Sequence, residues 1–317
     1  MPNNNFIREK KKLYFYIGNS GFGNKIFNII IALYIKNIHN CDVYTMYDKG
    51  IHNKNKDPTI MDIYPKILDN INILNNLYMH KKNNILKINI GTFKSLIDFK
   101  NIFNKNNKIY ITKLTKSYKY INEIYNKLNK NIKNIFNVNM KLIKPNIKKI
   151  AKTKYICIHI RYGDKLNYLK NKKNTNNIFL VYTPEYYIQT IEKLSKYKIP
   201  IYIVTDSNNI VKEFIMKNIK YKNIKILDIP YWNAFYILYN SNILVMSHSS
   251  FSIASKIISK KIIKSIIIKK SKLNKRLIGE DYIILSKNFK KNVKVINNKK
   301  YILNNDIKLA KKMIKYL

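Results

Sequence analysis

The fold is decided by the stretch YICIHIRYGD at residues 155–164, in which a run of apolar residues, broken only by His159, ends in a polar turn. Such a run is typical of a strand buried on both faces of a parallel sheet. Segments of alternating helical and strand character follow it. Helices are predicted at 184–197, 208–218, 231–239 and 250–258, and strands at 201–204, 224–227, 243–246 and 262–268. This alternation predicts an α/β fold, with a parallel sheet covered by helices on both faces.

The N-terminal half carries one clear unit of the same kind. Residues 13–17 predict a strand and residues 26–38 a helix, and residues 17–24 between them hold three of the 7 glycines of the chain. A tight glycine turn before a helix exposes backbone N–H groups and the positive end of the helix, which suit an anion. The glycine spacing fits neither the dinucleotide nor the P-loop pattern, so a purely structural turn is the alternative. Further helices are predicted at 60–77 and 118–136, and a domain boundary at residue 150.

Three polar clusters follow predicted strands of the C-terminal half. They are His159–Asp164, Thr205–Ser207 and Ser247–Ser252. Ligands of open parallel sheets bind at the carboxyl ends of the strands, so these clusters should meet on one edge. For Asp206, Ser249 and Ser250 the alternative is plain helix capping.

Arg161 is the most informative residue of the first cluster. The chain has 61 basic residues, yet its only arginines are Arg8, Arg161 and Arg276. In so lysine-rich a sequence an arginine indicates a position that needs a planar fork of donors, as a phosphate does. The clusters then predict a phosphate site, in which Arg161, serine hydroxyls and helix N-terminal amides donate and Asp206 accepts from a base or ribose. Three carboxylates near the motifs are candidates for a catalytic base: Asp164, Glu185 and Asp206.

Composition excludes several classes of protein. With 46% hydrophobic residues the chain is not disordered. Its net charge of +44 is spread over all segments, which argues against specific nucleic-acid binding and predicts only salt-sensitive attraction to polyanions. The two cysteines do not suggest a disulfide framework, and the histidine spacing suggests no metal site. We expect a cytoplasmic protein without signal peptide or transmembrane segment, with at most peripheral membrane contact.

Three of these motifs together resemble the α-1,2-fucosyltransferases, glycosyltransferase family 11. Residues 159–164 look like the HxRxGD segment of that family, residues 21–27 like its GGxGNQxF turn, and residues 239–252 like the segment that ends in NSTFSWW. Their order and approximate spacing agree over most of the chain.

The resemblance implies a GT-B fold, in which two Rossmann-like domains face a cleft, here an acceptor-side domain at 1–150 and a domain that binds the GDP-sugar donor at 151–317. It implies transfer of L-fucose from GDP-fucose to a galactoside or other glycan acceptor, with inversion and with neither metal nor cofactor.

The related protein O-fucosyltransferases share GFGN-, HxR-, TDS- and SSF-like elements with this chain, and this resemblance implies roles for individual residues. Phe22, Gly23 and Asn24 would lie along the cleft. His159 and Arg161 would contact the sugar and diphosphate, with Asp164 as a further catalytic residue. The remaining donor-binding residues would be Asp206, at the guanine or ribose, and Ser249, Ser250 and Phe251, beside the phosphates and base.

The chain also departs from the family pattern. Lys25 replaces a glutamine, Ile253 and Ala254 replace a tryptophan pair, and Tyr162 stands where a second arginine is common. Two alternatives therefore stay open: a protein O-fucosyltransferase or other sugar-nucleotide transferase on the same scaffold, and a lysine-rich nucleic-acid-binding protein.

Overall fold

The computed structural model describes residues 11–17, 21–46, 57–74, 86–89, 108–113, 118–171, 181–268, 293–296, 303 and 306–317. The chain divides into two compact units. The first comprises residues 1–116 and 123–139, and the second residues 117–122 and 140–317.

The first unit is built on a parallel sheet of five described strands. Its elements are β1 (Lys12–Tyr16), α1 (Phe22–His39), β2 (Asp42–Met46), α2 (Ile60–Ile63), β3 (Asn72–Leu74), β4 (Leu86–Asn89) and β5 (Lys108–Lys113). The strand order is β3-β2-β1-β5-β4. α1 packs through Ile26, Ile29, Ile30 and Leu33, which recur at helical spacing and are fully buried.

Two helices, α3 (Tyr118–Lys127) and α4 (Lys130–Lys133), follow before the main body of the second unit. That body contains α5 (Pro145–Lys152), β6 (Ile156–Ile160), α6 (Gly163–Asn171), α7 (Pro184–Leu194), β7 (Ile201–Thr205), α8 (Asn208–Phe214), β8 (Ile224–Ile226), α9 (Tyr231–Asn240), β9 (Ile243–Val245), α10 (Ser250–Ile258), β10 (Lys264–Ile268), β11 (Val293–Ile296) and α11 (Ile307–Ile314).

The strands of the second unit form a parallel sheet in the order β11-β10-β9-β6-β7-β8. Numbered from its own first strand, this is the 3-2-1-4-5-6 order of doubly wound nucleotide-binding sheets. The order reverses between β6 and β9, which pair from Ile156↔Ile243 to Ile158↔Val245. Ligands of such sheets bind beyond the carboxyl ends of the strands at this switch point. The parallel α/β architecture expected from the sequence is therefore present.

β6 is the central strand of this sheet, and all five of its residues are buried. Burial on both faces explains why its residues are apolar except for His159, because helices cover both sides of a parallel sheet. Next to it, the hydroxyl of buried Tyr155 donates to the carbonyl of Ile237 in α9 at 2.7 Å. This bond ties the start of the strand to a covering helix.

The helix predicted at 60–77 is wrong beyond its first turn. Thr59 and Asp62 form a capping box that starts α2, but Pro65 follows only three residues later. Proline disfavours helical geometry in the residue before it, and Tyr64 has φ −126° and ψ 72°. A short 3-10 turn and the strand β3 then replace the helix, and residues 75–77 lie outside the described part of the chain.

The helix predicted at 118–136 is wrong as a single element. It breaks into α3, α4 and a 3-10 turn at Asn134–Phe136. The break occurs at Asn129, whose side chain accepts from the amide of Ile132 at 2.9 Å and caps α4. An asparagine side chain that competes for backbone hydrogen bonds favours such a helix boundary.

The domain boundary predicted at residue 150 falls inside α5, a helix of the second unit. The backbone amide of Lys144, just before α5, is bound by Asn233 of α9 at 3.0 Å. The roles assigned to the two domains stay predictions. No helix in the described part of the chain is long and apolar enough to cross a membrane.

Candidate active site

A buried hydrogen bond joins β6 to the segment after β9 at the switch point of the second sheet. His159 Nδ1 lies 2.7 Å from the hydroxyl oxygen of Ser247. Both side chains are buried, with 4% and 3% of their surface exposed. The first and third polar clusters of the sequence therefore meet in the structure.

The imidazole of His159 is neutral at physiological pH. Burial, reinforced by the nearby positive charge of Arg161, lowers its pKa from 6.5 to about 3. A cation would lose its hydration in this position, and no carboxylate among the described residues compensates for that loss. As a neutral imidazole, His159 donates a hydrogen bond through one ring nitrogen and accepts one through the other.

Arg161 directly follows β6, and two carboxylates bind its guanidinium group. Its Nη2 lies 3.0 Å and its Nε 3.1 Å from Asp164 Oδ1, and Nε lies 3.5 Å from Asp206 Oδ2. The side chain is 34% exposed. Among the described residues Nη1 has no hydrogen-bond or ion-pair partner, so this nitrogen and the second hydrogen of Nη2 can still bind an anion.

Asp206 caps a neighbouring helix instead of its own. Its Oδ1 accepts from the amides of Tyr162 and Gly163, at 2.9 Å and 3.1 Å, at the start of α6. The hydroxyl of Ser207 donates to the same oxygen at 3.3 Å. Asp206 is therefore not the N-cap of α8, the helix that follows it, and binding of a base or ribose by Asp206 stays a prediction.

Asp164 is ionised and paired on both sides. Burial raises its pKa, but the charges of Arg161 and Lys165 outweigh burial and bring the pKa below its ordinary value. Lys165 Nζ lies 3.1 Å from Asp164 Oδ2. The third carboxylate considered from the sequence, Glu185, lies in the first turn of α7 and accepts from Gln189 at 2.8 Å.

The N-terminus of α10 brings the third cluster to the same place. Ser249 is its N-cap, and the hydroxyl accepts from the amide of Phe251 at 3.3 Å. Ser250 is the first helical residue and is half-buried. The ring of Phe251 lies 5.4 Å from that of His159, so the helix end is in contact with the histidine.

The remaining predicted residues belong to the first unit. Phe22, Gly23 and Asn24 form the first turn of α1, after Gly21 as N-cap. The ring of Phe22 stacks on Tyr64 with centroids 6.2 Å apart. Gly18 of the glycine run lies outside the described residues. The structure thus brings together the predicted residues of the second unit, and the three of the first unit lie together in the first turn of α1.

Ser247 was missed as an individual residue by sequence reasoning, which treated it only as the start of a polar segment. Its position, two residues beyond β9 and opposite His159 on β6, depends on the strand order and could not be found without it. In the described residues, no group of three or more His, Cys, Asp or Glu side chains could hold a metal ion.

The model of glycosyl transferase family 11 matches residues 67–284. Solved structures similar to the chain include POFUT1 in complex with GDP, at 10% identity and a TM-score of 0.48, covering 78% of this chain and 95% of that one. Fucosyltransferase NodZ from Bradyrhizobium is similar at 9% identity and a TM-score of 0.47, covering 81% of this chain and 94% of that one. NodZ α-1,6-fucosyltransferase soaked with GDP-fucose has a TM-score of 0.46 at the same identity and coverage. No curated protein sequence matches the chain.

Proposed function

The chain belongs to glycosyl transferase family 11 and is a glycosyltransferase, and we propose that it transfers L-fucose from GDP-fucose to a glycan hydroxyl. The proposed reaction is inverting and metal-independent, and it links the fucose α-1,2 to a galactoside. The family match, which covers more than half of the chain, supports the donor class. The linkage rests on the motif resemblance at residues 159–164 and 239–252.

One observation carries the proposal: His159, Arg161 and the N-terminus of α10 meet at the switch point of a 3-2-1-4-5-6 sheet. We place the diphosphate of the donor there. A helix N-terminus offers free amides and a partial positive charge, and a guanidinium offers a fork, so both favour phosphate oxygens.

Departure of GDP defines what these groups do in the reaction. Cleavage of the sugar–phosphate bond develops negative charge on the leaving diphosphate, and fixed donors stabilise that charge without reorganising. Arg161 is the charged donor, with Nη1 directed to the substrate. Asp164 and Asp206 hold its Nε edge, at 3.1 Å and 3.5 Å, and so orient the opposite edge of the guanidinium.

We propose that Asp164 positions the guanidinium of Arg161 and does not take the proton from the acceptor hydroxyl. Its pKa lies below the ordinary value, which makes it a weak base toward an acceptor hydroxyl. A loose transition state, in which the anomeric carbon is strongly positive, needs little help from a base. The positioning role therefore fits both the contact and the charge state of this carboxylate.

A GT-B arrangement is proposed for the two units. Each of them contains a parallel sheet, and each has a helix that begins beyond its first strand, α1 in the first unit and α6 in the second. We assign the acceptor side to the first domain, with Phe22, Gly23 and Asn24 along the cleft, and the donor to the second. If GDP slows hydrogen exchange in the second unit and not in the first, this assignment is supported.

A protein O-fucosyltransferase is the second candidate. Thr205–Ser207 and Ser249–Phe251 resemble elements of those enzymes, and the tryptophan pair of the α-1,2 family is replaced by Ile253 and Ala254. Both candidates use the same donor. Screening folded peptide domains against galactosides as acceptors, with labelled GDP-fucose, distinguishes them.

The donor is tested first by thermal unfolding with GDP, GDP-fucose, GDP-mannose and UDP-sugars, at a salt concentration that suppresses polyanion binding. Selective stabilisation by GDP and GDP-fucose is expected, because only a ligand that binds the folded state raises the midpoint. If no nucleotide shifts the midpoint, the proposed function is wrong.

Arg161→Lys then tests the site. The variant keeps the charge but loses the fork, so we expect transfer to fall by a factor on the order of 10²–10³, as for loss of one transition-state donor. Arg8→Lys is the matched control, since it makes the same change outside residues 67–284. Equal turnover in Arg161→Lys and the control would remove Arg161 from the mechanism.

A further inference from the structure

The bond between His159 and Ser247 raises the question of which partner supplies the hydrogen. His159 is the fourth residue of β6, and Ser247 lies two residues beyond β9. The bond therefore closes the gap between two strands just beyond their last paired residues, Ile158 and Val245. Both groups are buried, so they bond to each other and not to bulk water.

Only one arrangement satisfies both partners. Among the described residues, His159 Nδ1 is the sole hydrogen-bond partner of the Ser247 hydroxyl. If Nδ1 carried the hydrogen and donated it, the O–H of Ser247 would be a buried donor without an acceptor, which is unfavourable. If Ser247 donates instead, its hydrogen is bonded and Nδ1 needs none.

We infer that Ser247 is a positioning residue that holds His159 as the neutral tautomer with its hydrogen on Nε2, so that His159 donates a hydrogen bond to an oxygen of the sugar–diphosphate donor. The first part is a property of the protein alone. The second part rests on the proposed function.

Three contacts keep the ring in this orientation. Ser247 binds Nδ1 at 2.7 Å, and the ring of Phe251 lies at 5.4 Å and is tilted by 40°. The carbonyl of Ser247 accepts from the hydroxyl of Ser252 at 3.2 Å, which ties the segment to α10. The serine that sets the tautomer is therefore itself held by the helix proposed to bind the phosphates.

This tautomer decides what His159 can do. Nδ1 is occupied, and Nε2 carries a hydrogen, so the ring has no lone pair with which to take a proton from the acceptor hydroxyl. It can donate to an anionic or ether oxygen as the bond to the leaving group breaks. His159 is then a transition-state donor beside Arg161 and not the general base.

Nitrogen-15 NMR of the histidine-labelled protein tests the tautomer directly. The chain has 5 histidines, and the His159 signals are assigned by their loss in His159→Gln. We expect a protonated Nε2 and a bare, hydrogen-bonded Nδ1 in the unmodified protein. A protonated Nδ1 would overturn the inference, and this measurement needs no variant of Ser247.

Two serine variants test the cause. Ser247→Ala removes the hydroxyl and should give a mixture of tautomers, whereas Ser247→Thr keeps the hydroxyl and should retain the Nε2–H form. Ser241→Ala is the matched control, since Ser241 is also buried but its hydroxyl donates to the carbonyl of Leu238 at 2.9 Å. An unchanged tautomer in Ser247→Ala would show that Ser247 does not set it.

Transfer kinetics test the second part. Ser247→Ala should lower kcat roughly tenfold to a hundredfold, the range found when the partner of a metal-binding histidine is removed, and Ser247→Thr should restore it. Full activity in Ser247→Ala, despite mixed tautomers, would overturn the donor role. Because the spectra are recorded without substrate, they stay decisive even if GDP-fucose proves not to be the donor.

Discussion

Asp206 shows how a single side chain orders the loop that carries Arg161. One of its oxygens accepts from the amides of Tyr162 and Gly163, and the other lies 3.5 Å from Arg161. This close approach explains the glycine at 163. A Cβ built there would lie 2.9 Å from Asp206 Oδ2 and 3.0 Å from Cγ, which is too close for a real contact.

Gly163→Ala should therefore be destabilising. Overpacking of this kind typically costs about 1–3 kcal/mol in the free energy of unfolding. Donor affinity should fall as well, because the displaced carboxylate no longer holds Arg161. The variant is compared with the unmodified protein by denaturant unfolding and GDP titration.

Gly21→Ala provides the matched control for stability. A Cβ at Gly21 meets nothing within 4 Å, and its φ of −59° suits any residue. Alanine there should be neutral or stabilising, by up to about 1 kcal/mol, since it restricts the unfolded chain. If the free energy of unfolding changes by the same amount in Gly163→Ala and Gly21→Ala, Asp206 moves aside without cost and the predicted overpacking is wrong.

His159 should make the stability of the protein depend on pH. Burial and Arg161 lower its pKa to about 3 in the folded state, against 6.5 ordinarily. Between these values the unfolded chain binds a proton that the folded chain does not, so stability falls as the pH is lowered through 6.5.

His159→Gln should remove this dependence. As the pH is lowered from about 7.5 to about 5, the unmodified protein should lose about 2 kcal/mol more free energy of unfolding than the variant does. Denaturant unfolding across this range provides the measurement. Parallel stability curves would contradict a neutral, buried imidazole.

At the scale of elements, the N-terminus of α10 is expected to serve stability and binding together. Ser249→Ala removes a cap, which typically costs about 1 kcal/mol in the free energy of unfolding. Loss of the Ser249 hydroxyl, one of the proposed phosphate donors, should also weaken GDP binding, measured by calorimetry.

Asp306→Ala separates these two effects. Asp306 caps α11 by accepting from the amide of Leu309 at 2.9 Å, so its loss should cost a similar amount. GDP affinity should stay unchanged in this variant. If both variants lose affinity equally, the effect in Ser249→Ala reports on stability alone.

At the scale of the whole molecule, the net charge of +44 acts independently of the site. We expect DNA of unrelated sequences to bind equally, with an affinity that falls by about 10³ or more between about 50 and 200 mM salt if six or more phosphates are contacted. Arg161→Ala should not alter this binding, because it removes one of 61 basic residues. Retention on immobilised DNA over a salt series measures it, and preference for one sequence would revive the nucleic-acid-binding alternative.

Most elements between residues 155 and 268 were predictable because their local signals agree, but α5, α6, β11 and α11 were not predicted. Pro184 stands at the first position of α7, as the sequence suggested, and β6 is apolar at every position except His159. The region before residue 145 is rich in lysine and asparagine, and there Pro65 and Asn129 break the helices that its weak periodicity favoured.

The α/β class, the motifs that carry the family resemblance and the polar turn at residues 159–164 were all evident in the amino-acid sequence, because each of them depends on residue types within short segments. Tertiary structure alone decided that Ser247 faces His159, that Asp206 caps α6 and that Asp164 and Asp206 share one guanidinium. The contacts of Ser247 with His159 and of Asp206 with Tyr162 and Arg161 join residues 44 to 88 positions apart, and only the order of parallel strands brings the carboxyl ends concerned to the same edge.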